Sequence, residues 1–209
     1  EAIRKAVPNV ATAVIPVGVD ARFFHPEGPS AALSLPHPRI LCVGALEEVK
    51  RVDRVIAAVA RWGRGSLLVI GDGPLRGKIE RLGTERLGAE RFALVTAAHE
   101  DMPGYYRACD LLASASRSEA FGLVYLEAMA CNRPVVTQDD AIRREVVGDA
   151  GLFCDCENEE AFAAAMSTAL ERPWGALPRQ RALAFDWPLV AARFAVLFRK
   201  MISGIQKTG

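Results

Sequence analysis

The stretch that decides the fold runs from Cys109 to Gln138 and reads CDLLASASRSEAFGLVYLEAMACNRPVVTQ. Its pattern predicts a strand over 110–113, a polar loop, a helix over 121–131 and a second strand over 134–137. Short, continuously apolar strands that alternate with helices are typical of a parallel sheet with helices on both faces. The stretch therefore predicts an α/β fold built on a parallel sheet.

The predicted helix is apolar on nearly every side, yet Glu127 in its middle carries a charge. A helix that is hydrophobic all round is normally buried, and a buried carboxylate is costly unless a partner binds it. A second carboxylate, Glu119, lies eight residues earlier in the loop. The start of the helix offers free backbone N–H groups that suit an anion, near Phe121, Gly122 and Leu123. Two carboxylates beside an anion site predict a ligand with both hydroxyl and phosphate groups.

Each glutamate also has a purely structural interpretation. Glu127 would then pair with a buried arginine, and Glu119 would be a solvated acid of the loop. Neither carboxylate alone decides between the two interpretations. Their combination with the helix start favours a binding site.

Length and composition restrict the class of protein. The chain has 209 residues, 51% of them hydrophobic, which suffices for one large domain or two small ones with a sizeable core. The net charge of +1 gives no general attraction to nucleic acid or to a membrane surface. No uncharged run approaches the roughly 18 residues that span a bilayer, and no signal peptide is recognisable. We therefore expect a cytoplasmic protein without a nucleic-acid partner.

The five cysteines lack a C-x-x-C motif and are odd in number, as is typical of reduced thiols. Cys154 and Cys156 form a C-x-C beside two acids, which would suit zinc only with a second pair of ligands. No such pair stands out in the sequence. We therefore predict no metal.

The same alternation continues over residues 39–209, which we interpret as one domain. Further strands are predicted over 39–44, 67–71, 92–96 and 151–154, the last of them at an edge. Further helices are predicted around 52–59 and over 74–87, 102–108, 159–170, 177–185 and 187–205. The final helix has one apolar face, which either packs against the domain or lies on a membrane, and packing is favoured.

Residues 1–38 are interpreted as a lead-in segment and linker. They comprise the end of a helix over 1–7, a β-rich stretch over 12–17 that Pro16 keeps out of a central strand, and a proline-rich loop. The chain begins with Glu1, without a methionine and inside a helical pattern. We therefore expect it to be a piece of a longer protein.

Ligands of parallel sheets bind at the carboxyl ends of the strands. Three segments are expected to meet at that edge: 44–50, 71–74 and 116–122. The motif that starts at Gly71, G-x-G-x-x-x-G, is one residue off the dinucleotide fingerprint, and the acid that this fingerprint needs after the next strand is missing. An NAD-dependent dehydrogenase domain is therefore a weak alternative.

Taken together, the motifs resemble the C-terminal half of family 4 retaining glycosyltransferases of the GT-B type, from about Val10 to Leu170. The most specific piece is Glu119, seven residues and then Glu127, within SEAFGLVYLEAMAC and followed by RPVV. Supporting pieces occur in order: IPVGVD from Ile15, VGAL from Val43 with Lys50 behind it, GDGPL from Gly71 and VVGDAGL from Val146.

The resemblance implies a Rossmann-like domain that forms one half of a GT-B fold. It further implies that this domain binds a nucleotide-sugar donor, a UDP- or GDP-sugar. The full-length enzyme would transfer a hexosyl group to a glycan, lipid or small-molecule acceptor, with the acceptor domain lying upstream. Neither a metal nor another cofactor is implied, and a peripheral membrane contact of the full-length protein stays open. A non-catalytic nucleotide-binding module is the second alternative.

The resemblance also implies a role for each residue of the site. Lys50 would neutralise the diphosphate, and Glu119 would hold the donor sugar near its reacting carbon, so these two are the candidate catalytic residues. Glu127 would bind the ribose hydroxyls. The other candidate substrate-binding residues are Gly44, Ala97 beside the base, and the backbone amides of Phe121, Gly122 and Leu123.

Several positions depart from the family pattern. Ala45 stands where an arginine is usual, and Arg51 where a glycine usually follows the lysine. We therefore hypothesise that Arg51 supplies the missing diphosphate contact, with an ordinary surface role as the alternative. Asn132 replaces a common glycine and is expected to adopt the left-handed backbone that asparagine tolerates. Residues 139–141 replace glycines, which leaves the contacts of this loop with the sugar open.

Overall fold

A computed structural model describes residues 12–205 of the chain. Its centre is a six-stranded sheet in the order β3-β2-β1-β4-β5-β6, in which every neighbouring pair of strands runs parallel. The strands are β1 Arg39–Val43, β2 Ser66–Ile70, β3 Phe92–Val95, β4 Leu111–Ser114, β5 Val135–Gln138 and β6 Gly151–Cys154. The predicted parallel α/β architecture is confirmed.

Helices connect the strands and close the C-terminal end. They are α1 Val52–Trp62, α2 Arg76–Leu87, α3 Met102–Ala108, α4 Leu123–Ala130, α5 Ala141–Val147, α6 Glu159–Glu171, α7 Leu177–Leu183 and α8 Trp187–Ile205. Single turns of 3-10 helix cover Glu48–Lys50, His99–Asp101 and Gly148–Ala150. Within residues 12–205, every helix is too short or too polar to cross a lipid bilayer.

Both faces of the sheet are buried, because successive residues of a strand point to opposite sides. In β1, Leu41 packs into the core that contains residues of α3, α4 and α7, whereas Ile40 packs into the core that contains residues of α1, α2 and α6. In β2, Leu68 and Leu67 alternate in the same way. The sheet is therefore covered on both faces, as its continuous apolar strands predict.

Most predicted elements are confirmed, with shifts of one or two residues at their ends. The bounds of Met102–Ala108, Trp187–Ile205 and the edge strand Gly151–Cys154 are as predicted. Asn132 has a φ of 58°, so the left-handed backbone expected there is confirmed. Its side-chain amide donates a hydrogen bond of 2.9 Å to the carbonyl oxygen of Gly175, which ties the end of α4 to the segment before α7.

Three details of the prediction are wrong. The helix predicted from residue 121 begins at Leu123, because Gly122 adopts a left-handed backbone with a φ of 88°. The helix predicted from residue 74 begins at Arg76, because the N–H of Leu75 is still bonded to a neighbouring loop. The short helix α5 was not predicted at all.

The segment before β1 packs on the same core as the sheet. Residues 12–38 contain no helix and no extended strand, so the β-rich stretch over 12–17 does not form one. Phe24 and Leu35 are nevertheless buried in the core, and Val19 bridges to Asp186 directly before α8. The helix end predicted over 1–7 lies outside the described residues.

Candidate functional site

A crevice opens where the connections of the sheet change direction. From β1 the chain proceeds outward to β3 on one side, and from β4 it proceeds outward to β6 on the other. The loops that follow β1 and β4 therefore leave the sheet in opposite directions and separate at its carboxyl edge. Both loops carry residues of the predicted site.

Glycines let the loops after β1 and β2 lie directly against each other. A Cβ atom on Gly71 would lie 1.9 Å from the carbonyl oxygen of Gly44, so no side chain fits there. The N–H of Leu46 donates to the carbonyl oxygen of Asp72 at 2.8 Å and completes the contact. The glycine motif that approaches a dinucleotide fingerprint thus has a structural reason.

Lys50 and Glu119 meet across the crevice. The Nζ atom of Lys50 lies 2.7 Å from Oε1 of Glu119, and the two side chains are 27% and 12% exposed. The loop that carries Glu119 is attached by the N–H of Arg117, which donates to the carbonyl oxygen of Val49 at 2.9 Å. A Cβ atom on Gly44 would lie 3.7 Å from the Lys50 side chain. The structure therefore brings both candidate catalytic residues and Gly44 together.

The start of α4 lies in the chain directly after this loop. Gly122 caps the helix, and a Cβ atom there would lie 2.4 Å from the ring of Tyr125, so the position requires glycine. The N–H of Leu123 belongs to the first turn and has no acceptor within the helix. Phe121 precedes the helix and packs edge-on against Phe185, with ring centroids 5.9 Å apart. Of the three predicted amides, only that of Leu123 lies on the helix itself.

Glu127 lies in a cleft of about 330 Å³ on the same edge of the sheet. The loops after β1, β2 and β3 line this cleft, and Gly44, Ala97 and His99 are among its residues. One carboxylate oxygen of Glu127, Oε2, accepts a hydrogen bond of 2.6 Å from the phenol of Tyr106. The structure thus places Ala97 and Glu127 in one cleft.

The surroundings of Glu127 change its acidity. Burial raises the pKa of the Glu127 carboxyl group, while the hydrogen bond from Tyr106 and the nearby His99 act in the opposite direction. Among residues 12–205, no arginine forms an ion pair with Glu127, so the expected buried arginine is wrong and the partner of this carboxylate is the phenol of Tyr106. A carboxyl group with a raised pKa in a cleft is typical of functional sites.

Arg51 is not brought into the cleft. Its guanidinium binds the carboxylate of Glu157 through two contacts, one of which joins Nη2 and Oε2 at 2.6 Å. The Arg51 hydrogen bond holds the pKa of Glu157 at about 2. Arg51 lines a separate cavity together with Glu48 and Lys78, whereas Ala45 lines the cleft and offers no cation there. The diphosphate contact hypothesised for Arg51 therefore requires its pair with Glu157 to open.

The backbone of Arg51 leads to a prediction about stability. Its φ is 53°, in the left-handed region that glycine adopts without strain. Arg51→Gly and Arg51→Ala both remove the contact with Glu157, but only the alanine variant keeps a strained backbone. We expect the glycine variant to be more stable than the alanine variant by about 1 kcal/mol. Urea unfolding of both variants measures this difference, and equal free energies of unfolding would contradict it.

A buried polar network behind the loop was missed by sequence reasoning. The side chain of Arg143 is 1% exposed, and its guanidinium binds the carboxylate of Asp140, the carbonyl oxygen of Ser116 and the hydroxyl of Tyr125. Asp140 also caps α5 by accepting a hydrogen bond of 2.9 Å from the N–H of Arg143. An aspartate three residues before an arginine was the available signal, since aspartate favours the start of a helix. The network holds the loop that carries Glu119.

The two cysteines of the C-x-C motif lie close together. The Sγ atoms of Cys154 and Cys156 are 3.8 Å apart, and both thiols are free. In the part of the chain that the structure describes, no group of three His, Cys, Asp or Glu side chains is arranged to hold a metal ion.

The sequence and the fold have counterparts in known proteins. The family model described as glycosyl transferases group 1 matches residues 37–172, which contain the whole sheet and all the candidate site residues. The chain belongs to the glycosyl transferases group 1 family. The resemblance of the motifs to glycosyltransferases of this family is thereby confirmed.

Two curated relatives match a longer part of the chain than the family model does. GDP-mannose-dependent alpha-(1-6)-phosphatidylinositol dimannoside mannosyltransferase of Mycobacterium tuberculosis (strain ATCC 25177 / H37Ra) is 34% identical over 194 residues, which cover 87% of this chain and 50% of that protein. D-inositol 3-phosphate glycosyltransferase of Kineococcus radiotolerans is 29% identical over 224 residues, covering 90% of this chain and 52% of that protein. The chain thus spans about half the length of the curated relatives it matches.

Solved structures show the fold of this group 1 domain in larger proteins. Sucrose-phosphate synthase from Thermosynechococcus elongatus superimposes with a TM-score of 0.83 at 27% identity, over 97% of this chain and 56% of that chain. A glycosyltransferase from Rickettsia africae superimposes with a TM-score of 0.76 at 17% identity, over 91% of this chain and 57% of that chain. The Rossmann-like fold matches one half of GT-B glycosyltransferases, as the resemblance implied.

Proposed function

We propose that this chain is the donor-binding half of a nucleotide-sugar-dependent hexosyltransferase. One observation carries the proposal: Lys50, Glu119 and Glu127 all lie on the carboxyl edge of the sheet, around the start of α4. A nucleotide sugar has a diphosphate between its sugar and its ribose. Its recognition therefore needs a cation in the middle and hydrogen-bond acceptors on either side.

Lys50 supplies the cation. In this structure its ammonium group is bonded to Glu119, and both side chains are partly buried, so the charge is held in place before a donor arrives. A diphosphate that enters the crevice offers the ammonium group further charge-assisted hydrogen bonds. The first turn of α4 adds the N–H of Leu123 and the positive end of the helix dipole. The Lys50 ammonium group and the start of α4 together stabilise the negative charge that develops on the leaving diphosphate.

Glu119 acts on the sugar side of the diphosphate. Sugar transfer passes through a cationic ring, which a nearby carboxylate stabilises. The ammonium group of Lys50 lies 2.7 Å from this carboxylate, so the groups that serve the leaving phosphate and the sugar are adjacent. Glu119 then binds hydroxyls of the sugar close to its reacting carbon.

Glu127 acts on the nucleoside side of the diphosphate. It lies four residues beyond Leu123, or about 6 Å along the helix. The carboxylate accepts hydrogen bonds from the ribose hydroxyls, and the base lies along Ala97 in the same cleft. The proposed sites of the phosphate, ribose and base thus follow the order in which a nucleotide carries these groups.

The finer features of the reaction belong to the same proposal. The enzyme is of family 4 and retains the configuration of the transferred sugar, and it uses neither a metal nor another cofactor. The acceptor is a glycan, a lipid or a small molecule that binds a second domain upstream. The name of the GDP-mannose-dependent relative favours a GDP-sugar over a UDP-sugar, and the name of the inositol phosphate glycosyltransferase favours a hydroxylated acceptor.

The location of the protein is proposed as cytoplasmic, with a peripheral contact to a membrane. The helix α8 exposes Trp187, Phe198 and Ile202, and its only charged residues are basic. Aromatic and basic side chains on one helix suit the interface of an anionic membrane. Sedimentation with vesicles that contain anionic lipid examines this part of the proposal separately.

A calorimetric titration tests the proposed function. We expect the chain to bind one of the UDP-, GDP- or ADP-sugars, and to transfer the sugar poorly or not at all without an acceptor domain. Lack of binding to all three classes would contradict the donor-binding role. Sustained turnover by this chain alone would contradict the assignment of the acceptor site to another domain.

A further inference from the structure

Among residues 12–205, the Glu127 side chain has one hydrogen-bond partner, the phenol of Tyr106. Tyr106 on α3 is fully buried, and its ring packs edge-on against Phe24 with centroids 5.8 Å apart. The Tyr106 hydroxyl donates to Oε2 of Glu127 at 2.6 Å. Within residues 12–205, no group donates a hydrogen bond to the other oxygen, Oε1. The carboxylate is therefore anchored through one oxygen while the other is free to accept.

We propose that Tyr106 is a positioning residue for donor binding, which fixes the Glu127 carboxylate so that its free oxygen accepts the ribose hydroxyls. This inference rests on the proposed function and adds to it a residue that does not touch the donor. A glutamate side chain loses rotational freedom when it binds a ligand, and this loss weakens binding. A rigid, buried tyrosine lowers that loss because it orders the carboxylate beforehand.

The second effect of Tyr106 is on the charge of Glu127. Burial raises the pKa of Glu127, and the phenol hydrogen bond lowers it because it favours the ionised carboxylate. Burial, together with Glu127 itself, raises the pKa of Tyr106 well above its ordinary value, so the phenol stays a donor near neutral pH. The hydrogen bond therefore keeps Glu127 ionised at a lower pH than burial alone would allow.

Other titratable groups also face Glu127. His99 lies in the 3-10 helix before α3 and lowers the pKa of the carboxyl group. Cys131 follows α4, and burial raises the pKa of its thiol to about 12, which keeps it neutral. Asp72 lines the same cleft. Tyr106→Phe removes only the contribution of the phenol to the pKa of Glu127 and leaves these other groups in place.

The first test reads the ionisation of Glu127 without any ligand. A ¹³C NMR titration follows the side-chain carboxyl groups, and Glu127→Gln identifies the resonance of this residue. We expect Tyr106→Phe to shift its titration to higher pH. The matched control is Tyr105→Phe, since the neighbouring hydroxyl is not bonded to Glu127. An unchanged titration in Tyr106→Phe would overturn the inference.

The second test measures binding of GDP and UDP between pH 5 and 8. We expect Tyr106→Phe to bind the preferred nucleotide about tenfold more weakly, as for a lost hydrogen bond to a charged group. The loss should grow as the pH falls, because Glu127 takes up its proton earlier. With 2′,3′-dideoxy nucleotides, which lack the ribose hydroxyls, the unaltered chain and the variant should bind equally.

The outcomes separate this inference from the proposed function. If the unaltered chain binds neither nucleotide nor nucleotide sugar, both are overturned. If it binds but Tyr106→Phe has the same affinity and pH profile, only the positioning role is overturned. An equal loss with the dideoxy nucleotide would also overturn it, because the effect would then not pass through the ribose contact. Thermal unfolding of each variant shows that the compared proteins are folded.

Discussion

Lys50→Met is expected to weaken binding of the nucleotide sugar by about 100-fold, because it removes one partner of a partly buried charged contact. The side chain of methionine keeps most of the lysine stem, so packing along Gly44 is preserved. The loss concerns the diphosphate, and the free nucleoside should bind equally well to both proteins. Isothermal titration with the preferred nucleotide sugar and with the nucleoside measures both effects.

Two further variants make this result specific. Lys78→Met removes an exposed lysine outside the crevice and is expected to leave binding unchanged. Lys50→Met also leaves the partly buried carboxylate of Glu119 without its cationic partner, so it lowers stability as well as affinity. The double variant Lys50→Met/Glu119→Gln restores stability without restoring binding. Recovery of affinity in the double variant would contradict the role given to Lys50.

Arg143→Met is expected to lower the free energy of unfolding by about 3 kcal/mol, because it breaks a buried charged network from one side. The arginine binds Asp140, the carbonyl oxygen of Ser116 and the hydroxyl of Tyr125. Removing it takes this donor from the buried carbonyl oxygen of Ser116 and the buried hydroxyl of Tyr125, whereas the carboxylate of Asp140 is 35% exposed and still reaches water. Equilibrium unfolding in urea measures the change.

The neighbouring arginine provides the matched control. Arg144 pairs with Asp139, but both side chains are exposed to solvent and the contact is screened by water. Arg144→Met is therefore expected to leave the unfolding midpoint nearly unchanged. If Arg143→Met were as mild as this control, the network would not be what holds the loop of Glu119.

Sequence reasoning succeeded where local chemistry decides the structure. The parallel sheet followed from apolar strands that alternate with helices, because a sheet covered on both faces needs apolar residues on both sides of each strand. Asn132 was expected in the left-handed region for a steric reason, and its φ of 58° confirms it. The meeting of Lys50 and the loop of Glu119 followed from the rule that carboxyl ends of parallel strands share one edge.

Sequence reasoning failed where partners come from distant parts of the chain. The phenol of Tyr106 donates a hydrogen bond to Glu127, which lies 21 residues away along the chain, and no periodicity or motif predicts such a pair. Arg51 and Glu157 are 106 residues apart, so nothing in the sequence indicated that the folded protein pairs the guanidinium of Arg51 with this carboxylate. The start of α4 was misplaced because the apolar pattern runs through Gly122, where only the backbone conformation changes.

The central claim is that a nucleotide sugar binds with its diphosphate at the start of α4 and its ribose on Glu127. NMR of the ¹⁵N-labelled chain, titrated with the nucleotide sugar that calorimetry selects, locates the ligand residue by residue. We predict the largest changes at the amides of Leu123 and Ala97 and at the side chain of Lys50. Changes confined to the separate cavity of Arg51 and Lys78, with the start of α4 unaffected, would contradict the account.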